Sequence, residues 1–294
     1  MSPRTRSSIG LTGAAFLFGA TFVVIKEAVE VLPPLAFVGW RFLLGAAALF
    51  VFARPKGRPV WIDGVLAGGL LWGGYATQTM GLAETSASNS GLITGLYVVF
   101  TPLLAAAFRK RPPAIASVAG ASLSVVGLAL LTVTPGFQFN SGDVLTIACA
   151  VLFAGHIVLL SYLAPRHPVV PFTAIQLLVV AGLSLLASAI FEGFPLPDRS
   201  VLPALIGTGV IVSGGAFLMQ VAAQRVLGPS RTAIILSAEP VFAAATAIVV
   251  LHERLTVRGW LGAALIMIGV YVVLALSPPE QADLIAAEAV SEAH

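Results

Sequence analysis

The chain has 294 residues, 58% of them hydrophobic and 10% charged, with a mean hydropathy of +0.98. A soluble domain carries about a quarter charged residues, so this one has too few to coat a water-facing surface. The net charge of +3 and the pI of about 9.4 come from basic residues at segment ends, without the continuous Lys/Arg stripe that nucleic-acid binding requires.

A membrane span needs about 20 mostly apolar residues. The first stretch, 9–28, follows Arg4 and Arg6 much as a signal peptide would. It is longer than a signal core and pairs with a later stretch, so it is read as permanent. Next come 34–53 after Pro33-Pro34, then 62–82, 87–108, and 114–133 after Pro112-Pro113. The second half supplies 143–163, 171–191 beyond Pro165 and Pro168, 201–222 beyond Pro195-Leu196-Pro197, 230–251 beyond Gly228-Pro229, and 257–276. The lone Cys149 lies inside the sixth stretch, which rules out an intramolecular disulfide. Beyond Pro278-Pro279, Glu280, Asp283, Glu288 and Glu292 mark an acidic tail.

The two halves repeat one hydrophobic pattern. Leu17-Phe18, Pro33, Phe37 and Arg41 fall over Leu152-Phe153, Pro168, Phe172 and Gln176 at a constant offset. Gly73-Gly74 answers Gly214-Gly215, Thr101-Pro102 answers Glu239-Pro240, and Gly120 with Gly127 answers Gly262 with Gly269. Five spans per half force the second copy to enter the membrane from the opposite side, an arrangement typical of secondary transporters. The expected fold is therefore an all-α polytopic membrane protein. It has ten transmembrane helices arranged as two inverted five-helix repeats, 1–135 and 136–277, around a central cavity, followed by the tail 278–294.

Lys and Arg are retained on the cytoplasmic side. An inside N terminus places Arg4, Arg6, Arg54, Lys56, Arg58, Arg109, Lys110, Arg111, Arg166, Arg225 and Arg231 there, eleven of sixteen basic residues. Both termini are then cytoplasmic, in a cell or inner membrane. The outer loop His252-Glu253-Arg254 runs against the rule locally.

Polar side chains in hydrocarbon generally face a bundle interior or a wet cavity. Ser90, Thr94, Tyr97 and Thr101 share one helical face, as do Ser213, Phe217, Gln220 and Gln224. The third span adds Tyr75 and Gln78, and the ninth Thr232, Glu239 and Thr246. The tenth span has no charge or amide between Trp260 and Leu276, and the fifth only small Ser residues. Spans three, four, eight and nine are thus expected to line the cavity, with five and ten facing lipid.

Glu239 lies mid-span beside Pro240, which frees a backbone carbonyl. It could bind a substrate ammonium or a proton; alternatively it is a packed kink residue bonded to Gln220 or Gln78. His156, the one histidine at depth, is either a substrate or proton contact or a satisfied packing residue. Lys26 and Arg41, toward the outer ends of their spans, either form an outer vestibule for a carboxylate or snorkel to the headgroups. Trp72, Tyr75 and Tyr97 offer rings for stacking or packing. Gly69 with Gly73 and Gly91 with Gly95 have the spacing for close helix contact.

Phe18-Gly19-Ala20-Thr21, Arg41-Phe42-Leu43-Leu44, Glu239-Pro240-Val241-Phe242, Glu253-Arg254-Leu255 and Gly262 to Gly269, in that order, resemble the EamA-like family of the drug/metabolite transporter superfamily. The resemblance covers the whole membrane region. It implies two inverted five-helix bundles around a central cavity, with peripheral fifth and tenth helices, and an exporter of amino acids or other small metabolites. The chain looks like the branch that exports aromatic and neutral amino acids. Phe18 stands where the family pattern has Trp, and Gln176 where it has a second Arg.

The expected function is alternating-access export of small zwitterionic metabolites, with a lipid bilayer around the protein and protons as a candidate coupling ion. No cofactor, metal or nucleic acid is expected, and the assembly is a monomer or weak homo-oligomer. Nucleosides, drugs and sugar phosphates are alternative substrates, although phosphates want several cations at depth. A membrane-embedded enzyme would need clustered Asp/His ligands or a Ser/His pair, which the sequence lacks, and no Gly-Lys exists to cradle a nucleotide.

Overall fold

Helix ends fall where capping chemistry and proline put them. The computed structural model describes residues 1–82, 84, 87–132, 140–250, 252 and 254–277, apart from the side chains of 22, 23, 26, 27, 82 and 87–89. The Lys26 side chain, Glu253 and the tail 278–294 thus lie outside the described residues. Ser2 accepts from Thr5 N and Pro3 occupies the first turn, opening α1 (Pro3–Ala20). The helix is interrupted at Thr21, whose hydroxyl donates back to the carbonyls of Leu17 and Phe18, and resumes as α2 (Phe22–Val31). There follow α3 (Pro34–Phe52), α4 (Arg58–Leu82), α5 (Ala87–Gly95), α6 (Tyr97–Arg109) and α7 (Ile115–Thr132).

The second half opens on a capping box. Asn140 Oδ1 accepts from Asp143 N while the Asp143 carboxylate accepts from Asn140 N, starting α8 (Ser141–Leu163). Beyond a 3₁₀ turn (Ala164–Arg166) come α9 (Val169–Phe191) and α10 (Leu202–Ile206). A π-helix (Gly207–Ala216) then leads directly into α11 (Phe217–Gln224), and α12 (Pro229–Leu236), α13 (Glu239–Val250) and α14 (Val257–Leu276) complete the chain. No strand occurs among the described residues. Among the described residues every apolar stretch of the sequence is largely helical, and eight helical runs are long and apolar enough to cross a membrane. The stretches outside those eight are α1–α2 and α4.

Repeat-equivalent helices pack on each other antiparallel. Along α7 and α14, Gly120 faces Gly269 and Gly127 faces Gly262. A Cβ on Gly127 would lie 2.5 Å from the Gly262 carbonyl oxygen, so the two backbones touch with no side chain between them. Between α3 and α9, the first amides of α3, Leu35 N and Ala36 N, each donate at 2.9 Å to the Glu192 carboxylate just past the end of α9. Some further contacts match between the halves: α1 packs on α11 and α13 as α8 packs on α4 and α6. His167 Nε2 and Asp63 Oδ2, 2.6 Å apart, tie the turn after α8 to the start of α4.

The expected glycine contacts hold for one member of each pair. Gly73 meets Leu152 and Gly95 meets Leu128, while Gly69 and Gly91 face open space. The buried face of α4 runs instead through Gly64 and Gly68, against α9, and Gly74, against Phe153. Outward on α7 and α14 stand Val118, Val126, Trp260, Leu261, Ile268 and Tyr271, an exposed apolar surface suited to lipid.

Candidate substrate site

The site is built around an interrupted helix. Between α12 and α13 the chain breaks at Ser237-Ala238, and the Ser237 hydroxyl donates to Ile234 O at 2.7 Å. Pro240, second in α13, has no N–H to lose there. Glu239 thereby stands in the first turn of α13, where the helix dipole favours negative charge. Gly19 of α1 lies directly on this break: a Cβ there would collide with the Glu239 carbonyl oxygen and with Phe242 Cβ. The Glu239 side chain is half-buried, within electrostatic range of Arg41, Tyr75 and Tyr97. It makes no hydrogen bond among the described residues, and neither proposed amide partner reaches it. Gln220 Nε2 donates to Gln224 Oε1 at 3.2 Å, and Gln78 Nε2 to Thr94 Oγ1 at 3.3 Å.

Arg41 does not snorkel. It is 5% exposed, its Nε–H donates to Ser213 Oγ at 2.8 Å, and its guanidinium carbon lies 5.3 Å from the centre of the Phe42 ring. The physical reason is the π-helix beside α3. Gly209 brings its backbone against α3 so closely that a Cβ there would sit 2.7 Å from Arg41 O. Gly45 likewise sets α3 against Gly209 and Ser213. The side chain is thus held sideways among helices rather than released along the bundle to the headgroups.

A row of rings lies beside Arg41. Phe18, Phe217, Phe42, Tyr75 and Phe153 form one row, each pair in turn tilted or edge-to-face at 5.1 to 5.8 Å between centroids. Its ends, Phe18 and Phe153, are repeat-equivalent positions, one from each half. Arg41, Ser213, Phe217, Tyr75, Tyr97 and Glu239 are therefore brought together by α1, α3, α4, α6, α8, the π-helix, α11 and α13. Such a constellation can hold a molecule with a carboxylate, an ammonium and an apolar or aromatic body.

The other predicted residues have partners of their own. Ser90 and Thr94 are buried, Thr94 lying 3.9 Å from Cys149 Sγ. Thr101 is fully buried and donates to Tyr97 O at 2.7 Å, which satisfies it within its own helix. Gln220 belongs to a packing network in which Gln224 Nε2 donates to Ile157 O and Ser161 Oγ, both at 2.7 Å. His156 is buried, with Nε2 3.0 Å from Gln176 Oε1, while Gln176 Nε2 donates to Phe172 O. Since Oε1 only accepts, Nε2 carries the proton, and the bond ties α8 to α9. Sequence reasoning missed Phe42 as the ring under Arg41, and Phe18 and Phe153 as the ends of the ring row. The repeat alignment already pairs the latter two. Among the described residues no group of three or more His, Cys, Asp or Glu is placed to hold a metal.

The sequence pattern of the EamA-like transporter family matches this chain twice, over residues 6–133 and 140–275. The chain belongs to the EamA-like transporter family. Among relatives of this EamA-like protein, an uncharacterized transporter of Archaeoglobus fulgidus is 32% identical over 271 residues, 92% of this chain and 86% of the relative. A probable amino-acid metabolite efflux pump of Salmonella typhimurium is 30% identical over 276 residues, covering 87% and 90%. A protein of the same description in Escherichia coli is 28% identical over 285 residues, covering 87% of this chain and 90% of the relative. One solved crystal structure superposes with a TM-score of 0.82 over 92% of this chain and 99% of its own, at 23% identity, a likeness of fold. Family, apolar helices and relatives together make this EamA-like protein a membrane transporter.

Proposed function

We propose that this EamA-like transporter is a secondary-active, alternating-access exporter of small zwitterionic metabolites, chiefly aromatic and other neutral amino acids. The observation that carries the proposal is the pairing of Glu239, at a helix break and within electrostatic range of Arg41, with an Arg41 anchored on Ser213 beside a row of aromatic rings. Glu239 and the carbonyls freed at the break bind the ammonium. The Arg41 guanidinium binds the carboxylate, and Tyr75, Tyr97 and Phe217 contact the side chain. Broken helices that aim dipole ends at a substrate are the usual construction of a secondary-transporter site. The efflux names of the Salmonella and Escherichia relatives favour export and an amino-acid substrate.

In this proposal the chain crosses the cell membrane ten times as two inverted repeats, 1–135 and 136–277, around a central cavity. Both termini and the tail 278–294 are cytoplasmic, protons or substrate gradients drive flux, and the protein works as a monomer or weak homo-oligomer. Three observations support the repeat: the family pattern matches each half, equivalent helices pair antiparallel, and α1 packs on α11 and α13 as α8 packs on α4 and α6.

The test is counterflow in proteoliposomes preloaded with amino acids, assayed against labelled aromatic, small neutral and basic ones. Saturable exchange confined to aromatic and neutral amino acids is expected. Exchange with none of them would sink the substrate assignment and turn attention to nucleosides, drugs and sugar phosphates.

A further inference from the structure

Away from the substrate site, one buried amide joins two groups of helices. α1 packs on the π-helix, α11, α12 and α13, and α3 packs on the π-helix; α8 packs on α4, α5 and α6, and α9 packs on α4. Each group thus draws spans from both halves of the chain. Gln224, the last residue of α11, is fully buried, and its Nε2 donates across the boundary to Ile157 O and Ser161 Oγ of α8, both at 2.7 Å. We propose that Gln224 is the latch of the cytoplasmic gate: it holds α11 on α8 while the site faces outward, and its bonds to α8 break when the bundle opens inward. The proposal rests on the alternating-access reading and names the contact that alternation has to break.

The bundle is closed more tightly on one side. Seven of the eight residues of α12 are buried, whereas none of the described residues of α13, the other half of the same span, is buried. On the closed side α12 packs on α6 and α8, and α11 packs on α8 and α9. There Val98 and Ile157 of one group share a buried apolar cluster with Ala223, Leu227 and Ile234 of the other. Phe108 and Tyr162, near the ends of α6 and α8, have ring centroids 6.2 Å apart, so these two helices end on one face, and Gln224 brings the end of α11 to the same face. In the orientation of the proposed function that face is cytoplasmic.

The latch is specified atom by atom. Ile157 O can only accept, so the Gln224 amide nitrogen faces α8 and its Oε1 faces away. That oxygen accepts from Gln220 Nε2 at 3.2 Å, one turn earlier in α11. Ser161 donates its own proton to Ile157 O at 3.0 Å and so meets Gln224 as an acceptor. Both amide hydrogens are therefore spent on α8. In the dry, closed bundle these bonds are strong. Once the groups part, water replaces each partner of the amide, the hydroxyl and the carbonyl, so the latch releases at small net cost. A leucine at this position removes both bonds from the closed state and nothing from the open one that water does not supply.

The test uses the full chain in lipid nanodiscs, with Cys149→Ser removing the lone cysteine. Spin labels are placed on Arg111→Cys and Arg225→Cys, exposed positions just past α6 and α11, one in each group. Double electron–electron resonance then reads the distance between the groups at the latched face. The parent should show mainly one short distance. Gln224→Leu should raise the fraction at a second, longer distance about 3- to 20-fold, the factor that corresponds to hydrogen bonds between membrane helices. Ser161→Ala, which keeps the bond to Ile157 O, should raise it less, and it decides the question on the same readout if Gln224→Leu fails to fold. His156→Leu breaks a side-chain bond inside one group, between α8 and α9, and should leave the distribution unchanged. An unchanged distribution in Gln224→Leu and Ser161→Ala, or an equal change in His156→Leu, would overturn the proposal. Saturating phenylalanine separates the latch from alternation itself. If it moves the parent between two distances while the latch variants change nothing, only the latch falls; if no variant or substrate yields a second distance, both fall.

Discussion

Arg41→Gln separates a carboxylate anchor from a structural arginine. The guanidinium commits Nε to Ser213 and makes no other hydrogen bond among the described residues, leaving its terminal amino groups as a fork for a substrate carboxylate. A hydrogen bond to a charged group is worth about 1.5–3 kcal/mol net, and about 1.4 kcal/mol is a factor of ten. Losing the anchor should therefore raise the KM for phenylalanine counterflow by about 10- to 150-fold. Phenethylamine has the same ring and ammonium but no carboxylate, so wild type and Arg41→Gln should move it equally. Ser213→Ala keeps the charge and loses only its tether, so it should cost less than Arg41→Gln. Thermal melting in detergent, run alongside, reports folding. If phenylalanine and phenethylamine lose the same factor, Arg41 serves the scaffold and the carboxylate is bound elsewhere.

Glu239→Gln should abolish or strongly reduce amino-acid flux at an unchanged melting temperature, because the amide fills the same space but cannot pair with an ammonium; normal flux removes Glu239 from the mechanism. Gly127→Leu should lower stability by about 1–3 kcal/mol, the usual cost of overpacking, since its new Cβ alone meets the Gly262 carbonyl oxygen at 2.5 Å. Its KM should stay at the wild-type value, and a loss of affinity with normal melting would place α7 in the transport path. His156→Leu should cost about 1 kcal/mol, the scale of a hydrogen bond between membrane helices, by leaving the buried Gln176 Oε1 without its donor. His156→Leu with Gln176→Leu should recover part of that stability and retain flux, whereas loss of flux in a stable double variant would make His156 a transport residue.

Length and hydrophobicity were enough to place every apolar helix, because hydrocarbon admits only backbones that satisfy themselves. Pro-rich joints then marked the ends to within a few residues. Internal similarity was legible for the same reason: Gly120, Gly127, Gly262 and Gly269 are spaced for contact between equivalent helices, and the structure joins them. Helical periodicity gave Ser213, Phe217, Tyr75, Tyr97 and Glu239, since a costly polar group has to face inward. It gave Thr101 and Gln220 on the same grounds. It could not tell them apart, because one-dimensional spacing says which face a residue occupies and nothing of what lies opposite.

Tertiary packing decided the rest. Arg41 looks like a snorkelling cation in sequence, and only the glycine-mediated approach of the π-helix to α3 turns it onto Ser213 and Phe42. The interruptions at Thr21 and Leu96 carry no proline of their own; Thr21 bonds backward into its helix, and Leu96 precedes Pro102 by more than a turn. Arg4 and Arg231, more than 200 positions apart in sequence, line one cavity. Sequence alone determined which stretches are apolar and helical and that one hydrophobic pattern occurs in both halves, since apolar length is a local and additive property. Which polar groups meet is a property of pairs, fixed only when helices distant in sequence come within hydrogen-bond reach.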